Sequence, residues 1–231
     1  MAVAIILAAG SGSRMQSDVA KQYIKLNNRE IVAYAIETFN EHPDIDSIVL
    51  VSREHELDYC ANRIVKQYGF DKVRHVCAGG AERYLSVYNG LKALDGLADE
   101  EVVIIHDGAR PFVTAKMITD VVEAAKVYGA CTTAMPVKDT IKIVDENAFG
   151  IETPERNFVY QIQTPQAFTF VNLIGAYEAL FEASSDVNYK ITDDTMLVEQ
   201  YKGVRSKMVP GSYENIKITT PEDLKIASIF V

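Results

Sequence analysis

The chain has 231 residues, with 23 basic and 32 acidic side chains and a formal net charge of −9. At 48% apolar and 24% charged, it has the make-up of a globular protein that buries its core without disulfides or metals, and its length suits one large α/β domain. The acidic balance argues against general nucleic-acid or anionic-membrane binding, which need surplus Lys and Arg, yet leaves room for a small anionic ligand held by a few focused cations.

The opening apolar run, Ala2 to Ala9, is far short of the roughly 20 residues needed to span a bilayer, and it has no signal-peptide layout. Val3 to Ala9 reads as a buried strand ending in a glycine loop. Ile31, Val32, Ala35, Ile36 and Phe39 fall at helical spacing, and Ile48 to Val51 is a second strand. Glu54 to Tyr68 reads as a helix and Val73 to Cys77 as a third strand. Tyr84, Val87, Tyr88, Leu91 and Leu94 share a helical face ahead of strand Val102 to Ile105. A helix carrying Ile118, Val121, Val122 and Ala125 precedes strand Cys131 to Met135. This alternation implies parallel pairing with helices on both faces of a sheet.

The pattern changes after Pro136. Thr140 to Val144 looks like a strand, Glu146 to Gly150 is turn-rich, and Phe158 to Gln163 has an extended character. Residues 137 to 163 therefore read as an arm or hairpin leaving the sheet, too poor in apolar residues to fold alone. Helices resume at Leu173 to Phe181 and Thr192 to Tyr201, followed by strand Val204 to Val209. Thr220-Pro221-Glu222-Asp223 opens a last helix with a capping hydroxyl, an early proline and first-turn carboxylates. Cys60, Cys77 and Cys131 are widely spaced, with no Cys-x-x-Cys pair, so they read as core residues of a cytosolic protein.

In an open parallel sheet, ligands bind beyond the carboxyl ends of the strands. The segment Ala8-Ala9-Gly10-Ser11-Gly12-Ser13-Arg14-Met15 follows the first strand. Met15 replaces the third glycine of a dinucleotide fingerprint, and no Gly-Lys-Ser/Thr follows, so neither that motif nor a P-loop is present. What remains is a glycine loop whose backbone amides can approach phosphates, with Arg14 and Lys21 to supply charge. Gly79-Gly80 precedes a helix start that places Arg83 and Ser86 on one face, where free N–H groups suit an anion or the polar edge of a base. Asp107, in His106-Asp107-Gly108-Ala109-Arg110-Pro111, ends a buried strand and has the chemistry to hold Mg²⁺ beside substrate phosphates. Taken singly, Asp107 also suits an Asp-Gly turn, His106 a packed histidine, and Thr192-Asp193-Asp194 an ordinary helix cap.

Together these segments resemble one family along nearly the whole chain. To those already quoted add Lys21-Gln22-Tyr23, Pro136-Val137-Lys138-Asp139-Thr140, Gln163-Thr164-Pro165-Gln166-Ala167-Phe168, Thr192-Asp193-Asp194 and Asn215-Ile216-Lys217-Ile218-Thr219. The order and register are similar to those of 2-C-methyl-D-erythritol 4-phosphate cytidylyltransferases of the non-mevalonate isoprenoid pathway. The resemblance implies a Rossmann-like doubly wound, mostly parallel α/β sheet of the nucleotide-diphospho-sugar transferase type. It implies one domain over residues 1–231, with a protruding β-arm at about 137–163.

It also implies a Mg²⁺-dependent reaction of CTP with methylerythritol phosphate. By motif position, Arg14, Lys21, Lys217 and Arg156 would be catalytic. Ala8, Ala9, Gly10, Gly12, Gly79, Gly80, Arg83, Ser86 and Asp107 would bind the nucleotide, with Asp107 at the metal. Asp107, Arg110, Thr140, Arg156, Thr164 and Thr192 would hold the second substrate. A homodimer exchanging its arms is implied, with Arg156 and Thr164 serving the partner's site, and neither nucleic acid nor membrane as a partner. Two positions depart from the pattern: Ala20 stands where a proline often precedes the Lys-Gln pair, and Leu85 where a polar residue is common. A sister family acting on ribitol 5-phosphate shares the CTP motifs. A nucleotide-binding oxidoreductase is disfavoured by Met15, and by Ser52 and Arg53 where an acidic ribose reader would stand.

Overall fold

A computed structural model describes residues 2–10, 20–94, 96–183 and 191–231. Seven strands form the main sheet: β1 (Ala2–Leu7), β4 (Ile45–Ser52), β5 (Val73–Ala78), β6 (Val102–Asp107), β7 (Ala130–Pro136), β10 (Tyr160–Thr169) and β11 (Lys207–Pro210). Two small hairpins complete the set, β2 (Lys25–Leu26) with β3 (Arg29–Glu30) and β8 (Ile143–Val144) with β9 (Gly150–Glu152). The order across the main sheet is β11-β7-β10-β6-β1-β4-β5. Pairing is parallel except at β10, which runs antiparallel to both β6 and β7.

The alternation of side chains along β1 explains why both faces are covered. Ala2, Ala4, Ile6 and Ala8 join one apolar cluster, built with helices Ile31–Glu41 and Ala115–Tyr128. Ile5 points to the other, built with helices Arg83–Lys92, Phe170–Glu182 and Asp194–Lys202. Burial on both faces is what a near-continuous apolar strand requires. The chain thus forms an α/β fold with a mostly parallel sheet between two helical layers, as the alternating pattern implied.

Four local readings differ. The expected helix over Glu54 to Tyr68 is continuous in direction but carries a π turn at Cys60–Val65. Only Ile143–Val144 of the expected strand Thr140 to Val144 is paired. The strand expected from Val204 begins at Lys207. The stretch expected to be extended as far as Gln163 continues as β10 to Thr169, inside the sheet. There Gln163 to Phe168 are all buried, although the segment is not an apolar run.

The excursion from the sheet takes its shape from β7 and β10. The chain leaves along β7, forms the β8–β9 hairpin, and returns beside β7, with Tyr160 opposite Pro136. The hairpin residues Phe149 and Ile151, and Phe158 after them, are 72%, 68% and 80% exposed. No helix among the described residues is long and apolar enough to cross a membrane.

Candidate nucleotide-binding site

After β1 the chain runs to β4 and β5 on one side, then crosses back to β6 on the other. The carboxyl ends of β1 and β6 therefore border the point where the winding reverses, which is where an open α/β sheet offers a crevice. Backbone bonds hold the strand ends level: Ala8 N–H to Val51 O at 2.7 Å, Gly79 N–H to Ser52 O at 2.7 Å, and Gly108 N–H to Leu7 O at 2.9 Å. A cavity of about 270 Å³ opens there.

Ala9, Gly10, Lys21, Gly80, Arg83, Ser86, Asp107 and Lys217 all line it, so segments as far apart as Ala9 and Lys217 meet in space. Gly79 lies just behind, and its lack of a side chain is structural. A Cβ there would stand 2.6 Å from Ala9 Cβ and 2.7 Å from Ser86 Oγ. Ser86 Oγ accepts from Gly80 N–H at 3.1 Å and donates to Glu82 O at 3.1 Å, pinning the glycine pair onto the start of the helix. The helix N-terminus beneath supplies free N–H groups suited to an anion.

Asp107 is the electrostatic centre. Its carboxylate lies 2.9 Å from Lys217 Nζ, 3.5 Å from Arg110 Nε and 3.6 Å from Arg83 Nε. Burial alone would raise its pKa, but Lys217, Arg83 and Arg110 outweigh burial and hold it far below the usual carboxylate range. Arg83, Arg110 and Lys217 meet two carboxylates, Asp107 and the Asp194 that pairs with Arg83 at 2.7 Å, so this cluster keeps an excess of one positive charge beside the cavity. Such a site attracts polyanions despite the negative charge of the whole chain.

A buried polar layer supports Asp107 from behind. Thr164 Oγ1 accepts from the Asp107 N–H at 3.0 Å and lies 3.2 Å from His106 Nδ1. Arg110 O can only accept, so His106 Nε2–H donates to it at 3.1 Å; Nδ1 of the neutral ring is then an acceptor, and the Thr164 hydroxyl donates to it. Burial pushes the fully enclosed imidazole down to about 4, so it stays neutral. Asn215 Nδ2 donates to Thr164 O at 2.9 Å, while Arg110 Nη1 donates to Asn215 O at 2.8 Å.

As for a cation, no cluster of three or more His, Cys, Asp or Glu side chains able to hold a metal occurs among the described residues. Asp107 Oδ2 is engaged by Lys217 and Arg110, whereas Oδ1 has, among the described ion pairs, only the longer Arg83 contact. One carboxylate oxygen beside a cation-lined cavity has the chemistry to hold Mg²⁺, which is commonly bound by one or two carboxylates and completed by substrate phosphates.

The remaining expected residues fall elsewhere. Arg110 and Thr164 stand behind Asp107, and Ala8 is buried at the end of β1. Arg156 and Thr140 are exposed on the arm, where Arg156 Nη1 donates to Lys138 O at 3.0 Å. Thr192 is exposed and its hydroxyl meets Met196 Sδ at 3.7 Å. None of these three lines the cavity. Gly12 and Arg14 lie outside the described residues.

Gln22 and Asp194 stand within motifs that carry the resemblance, Lys21-Gln22-Tyr23 and Thr192-Asp193-Asp194, but the sequence assigned neither a role. Gln22 is buried and its amide bonds the carbonyls of Ala8 and Gly10, bracing the start of the glycine loop. The cap of helix Asp194–Lys202 is Asp193, which accepts from Met196 N–H at 2.7 Å, so the adjacent Asp194 turns inward. The signal available was that only one residue of Thr192-Asp193-Asp194 can cap.

Comparisons with known proteins agree with this geometry. The family model for 2-C-methyl-D-erythritol 4-phosphate cytidylyltransferase (IspD) matches residues 2–231. A cytidylyltransferase of that name from Clostridioides difficile is 48% identical over 223 residues, covering 96% of this chain and 90% of the relative. One from Clostridium botulinum strain Eklund 17B is 43% identical over 231 residues, covering 100% and 99%. Among solved structures, the 4-diphosphocytidyl-2C-methyl-D-erythritol synthase of Anaerococcus prevotii superposes with a TM-score of 0.85 at 37% identity, covering 99% of this chain and 95% of that one. The Francisella tularensis enzyme gives 0.81 at 33% identity, covering 100% and 99%. With the cavity, its cations and its strand order in place, this chain belongs to the 2-C-methyl-D-erythritol 4-phosphate cytidylyltransferase family.

Proposed function

We propose that this enzyme joins CTP to 2-C-methyl-D-erythritol 4-phosphate, giving 4-diphosphocytidyl-2-C-methyl-D-erythritol and pyrophosphate. The observation that carries the reading is the convergence of Lys217, Arg83 and Arg110 on Asp107 at the floor of a glycine-lined cavity. Both reactants are polyanions. Two like charges about 4 Å apart repel by roughly 4 kcal/mol at an effective dielectric near 20, and the cluster of cations offsets that cost. A phosphate oxygen of the polyol attacks the α-phosphorus in line. The bond from that phosphorus to the oxygen bridging to the β-phosphate breaks, and pyrophosphate leaves with the electron pair. A phosphate dianion is already nucleophilic at neutral pH, so no side chain has to remove a proton.

Catalysis is then positioning and charge stabilisation. Lys21, Arg14 and Lys217 hold the triphosphate, and Gly79, Gly80 and Ser86 face the cytosine and ribose. Asp107 would hold Mg²⁺, which when bound supplies further neutralisation of the phosphates. Arg110, Thr164, Thr140, Arg156 and Thr192 form the polyol-phosphate side, the last three reaching it from exposed positions. The exposed apolar arm supports a homodimer in which each arm serves the other copy, because contiguous exposed apolar side chains mark interaction surfaces. Three free cysteines accord with a reducing cytoplasm.

The test is pyrophosphate release from CTP and Mg²⁺ with each of two acceptors. Methylerythritol phosphate is expected to be the preferred acceptor, and a preference for ribitol 5-phosphate would overturn the substrate assignment.

A further inference from the structure

Arg83 is held between two carboxylates, and they are not equivalent. Its Nη1 lies 2.7 Å from Asp194 Oδ2, while its Nε lies 3.6 Å from Asp107 Oδ1. Asp107 is shared with Lys217 and Arg110, so its pull on Arg83 is divided. Asp194 has no second cation among the described ion pairs. It is fully buried, its Oδ1 accepts from Tyr177 OH at 2.9 Å, and its own N–H donates to Gln166 Oε1 at 3.1 Å. Arg83 lines the cavity and Asp194 does not.

We propose that Asp194 is a positioning residue for nucleotide binding: it anchors the Arg83 guanidinium against the cavity wall and acts on CTP only through Arg83. Two features distinguish this from simple core packing. The carboxylate is aimed by the Tyr177 hydroxyl, and the backbone that carries it is fixed by the bond from its N–H to Gln166 Oε1, so the direction of its pull is set. It also competes with Asp107 for the same guanidinium. Without Asp194, Arg83 swings toward Asp107, taking up the carboxylate that orients Lys217 and withdrawing its own N–H groups from the nucleotide.

The inference rests on Arg83 contacting CTP, and the experiment separates the two ideas. Arg83→Ala, Asp194→Asn and the double variant are compared by KM for each substrate, kcat, and the CTP dissociation constant from calorimetry. Each single variant is expected to raise the KM for CTP at least tenfold, with the KM for the polyol phosphate within twofold of the parent. The double variant is expected to be no worse than Arg83→Ala. An Asp194→Asn enzyme with the parent's KM for CTP, or a double variant whose effect is the product of the two singles, overturns the proposal. An unchanged KM in Arg83→Ala overturns the nucleotide-binding reading of Arg83 and this inference with it. Should Asp194→Asn fail to fold, Tyr177→Phe removes the aiming hydrogen bond and keeps the charge. It is expected to raise the KM for CTP two- to threefold in the parent and not at all in the Arg83→Ala background; no change in the parent overturns the proposal.

Discussion

His106 shows how a buried residue ties the site to pH. Its folded pKa, about 4, lies below its ordinary value of 6.5 because burial disfavours the imidazolium. Between those values the unfolded chain binds a proton that the folded chain does not. Stability from this group is therefore complete above about pH 6.5 and falls as pH drops toward 4, by about 3 kcal/mol in all. Asp107, also depressed, adds a loss at still lower pH. Thermal unfolding at pH 7.5 and pH 5 should show this slope in the parent and a flatter one in His106→Asn; equal slopes would remove the assignment. At the phosphates, Lys21→Ala and Arg14→Ala are each expected to lower turnover at least tenfold without unfolding the chain, measured by pyrophosphate release, since losing one such donor typically costs roughly 10²–10³ in rate. Arg83 and Asp107 were legible because they stand at or just after strand ends, whereas Lys217 was reached only through the resemblance. Gln22 and Asp194 were not legible, because a buried amide and an inward-turned carboxylate look like solvated side chains until the packing around them is known.

Among the elements, the strands that read clearly were those with continuous apolar runs, such as Ile48 to Val51 inside β4. The second half of β10 was hidden for a physical reason. Gln163, Thr164 and Gln166 are buried polar residues whose cost is met by partners far away in sequence, such as Gln163 Nε2 donating to Ser212 O at 2.7 Å. The β2–β3 hairpin turns on Asn27 and Asn28, both left-handed at φ 49° and 65°, a two-residue turn that the apolar pattern does not register. The last helix was legible from its opening alone. Thr220 Oγ1 accepts from Asp223 N–H at 3.3 Å and Asp223 Oδ2 accepts from Thr220 N–H at 2.8 Å, a reciprocal cap. That helix follows the segment carrying Lys217, which Ile218 N–H ties to Ala109 O at 2.9 Å. Thr220→Ala is expected to cost about 1 kcal/mol and lower Tm by about 2–4 °C in a thermal melt.

Across the whole molecule, charge and shape separate two tasks. The sheet and its helices fix the cavity, while the arm presents apolar side chains outward. Arg156→Ala is expected to raise the KM for the polyol phosphate at least fivefold and leave that for CTP unchanged, because Arg156 stands on the arm and not on the cavity wall. An unchanged polyol-phosphate constant would argue against that contact. The homodimer proposed above predicts that serine at Phe149 and Phe158 gives a monomer in sedimentation analysis; a mass unchanged from the parent would overturn that assembly. The pairing of Tyr160 with Pro136 carries one more consequence. Opposite rungs of an antiparallel ladder stand only about 5 Å apart, so both roots of the projection emerge from one spot. A tight reverse turn spliced between those rungs would therefore excise the whole projection while closing the chain, without a break in the sheet or the cavity it frames.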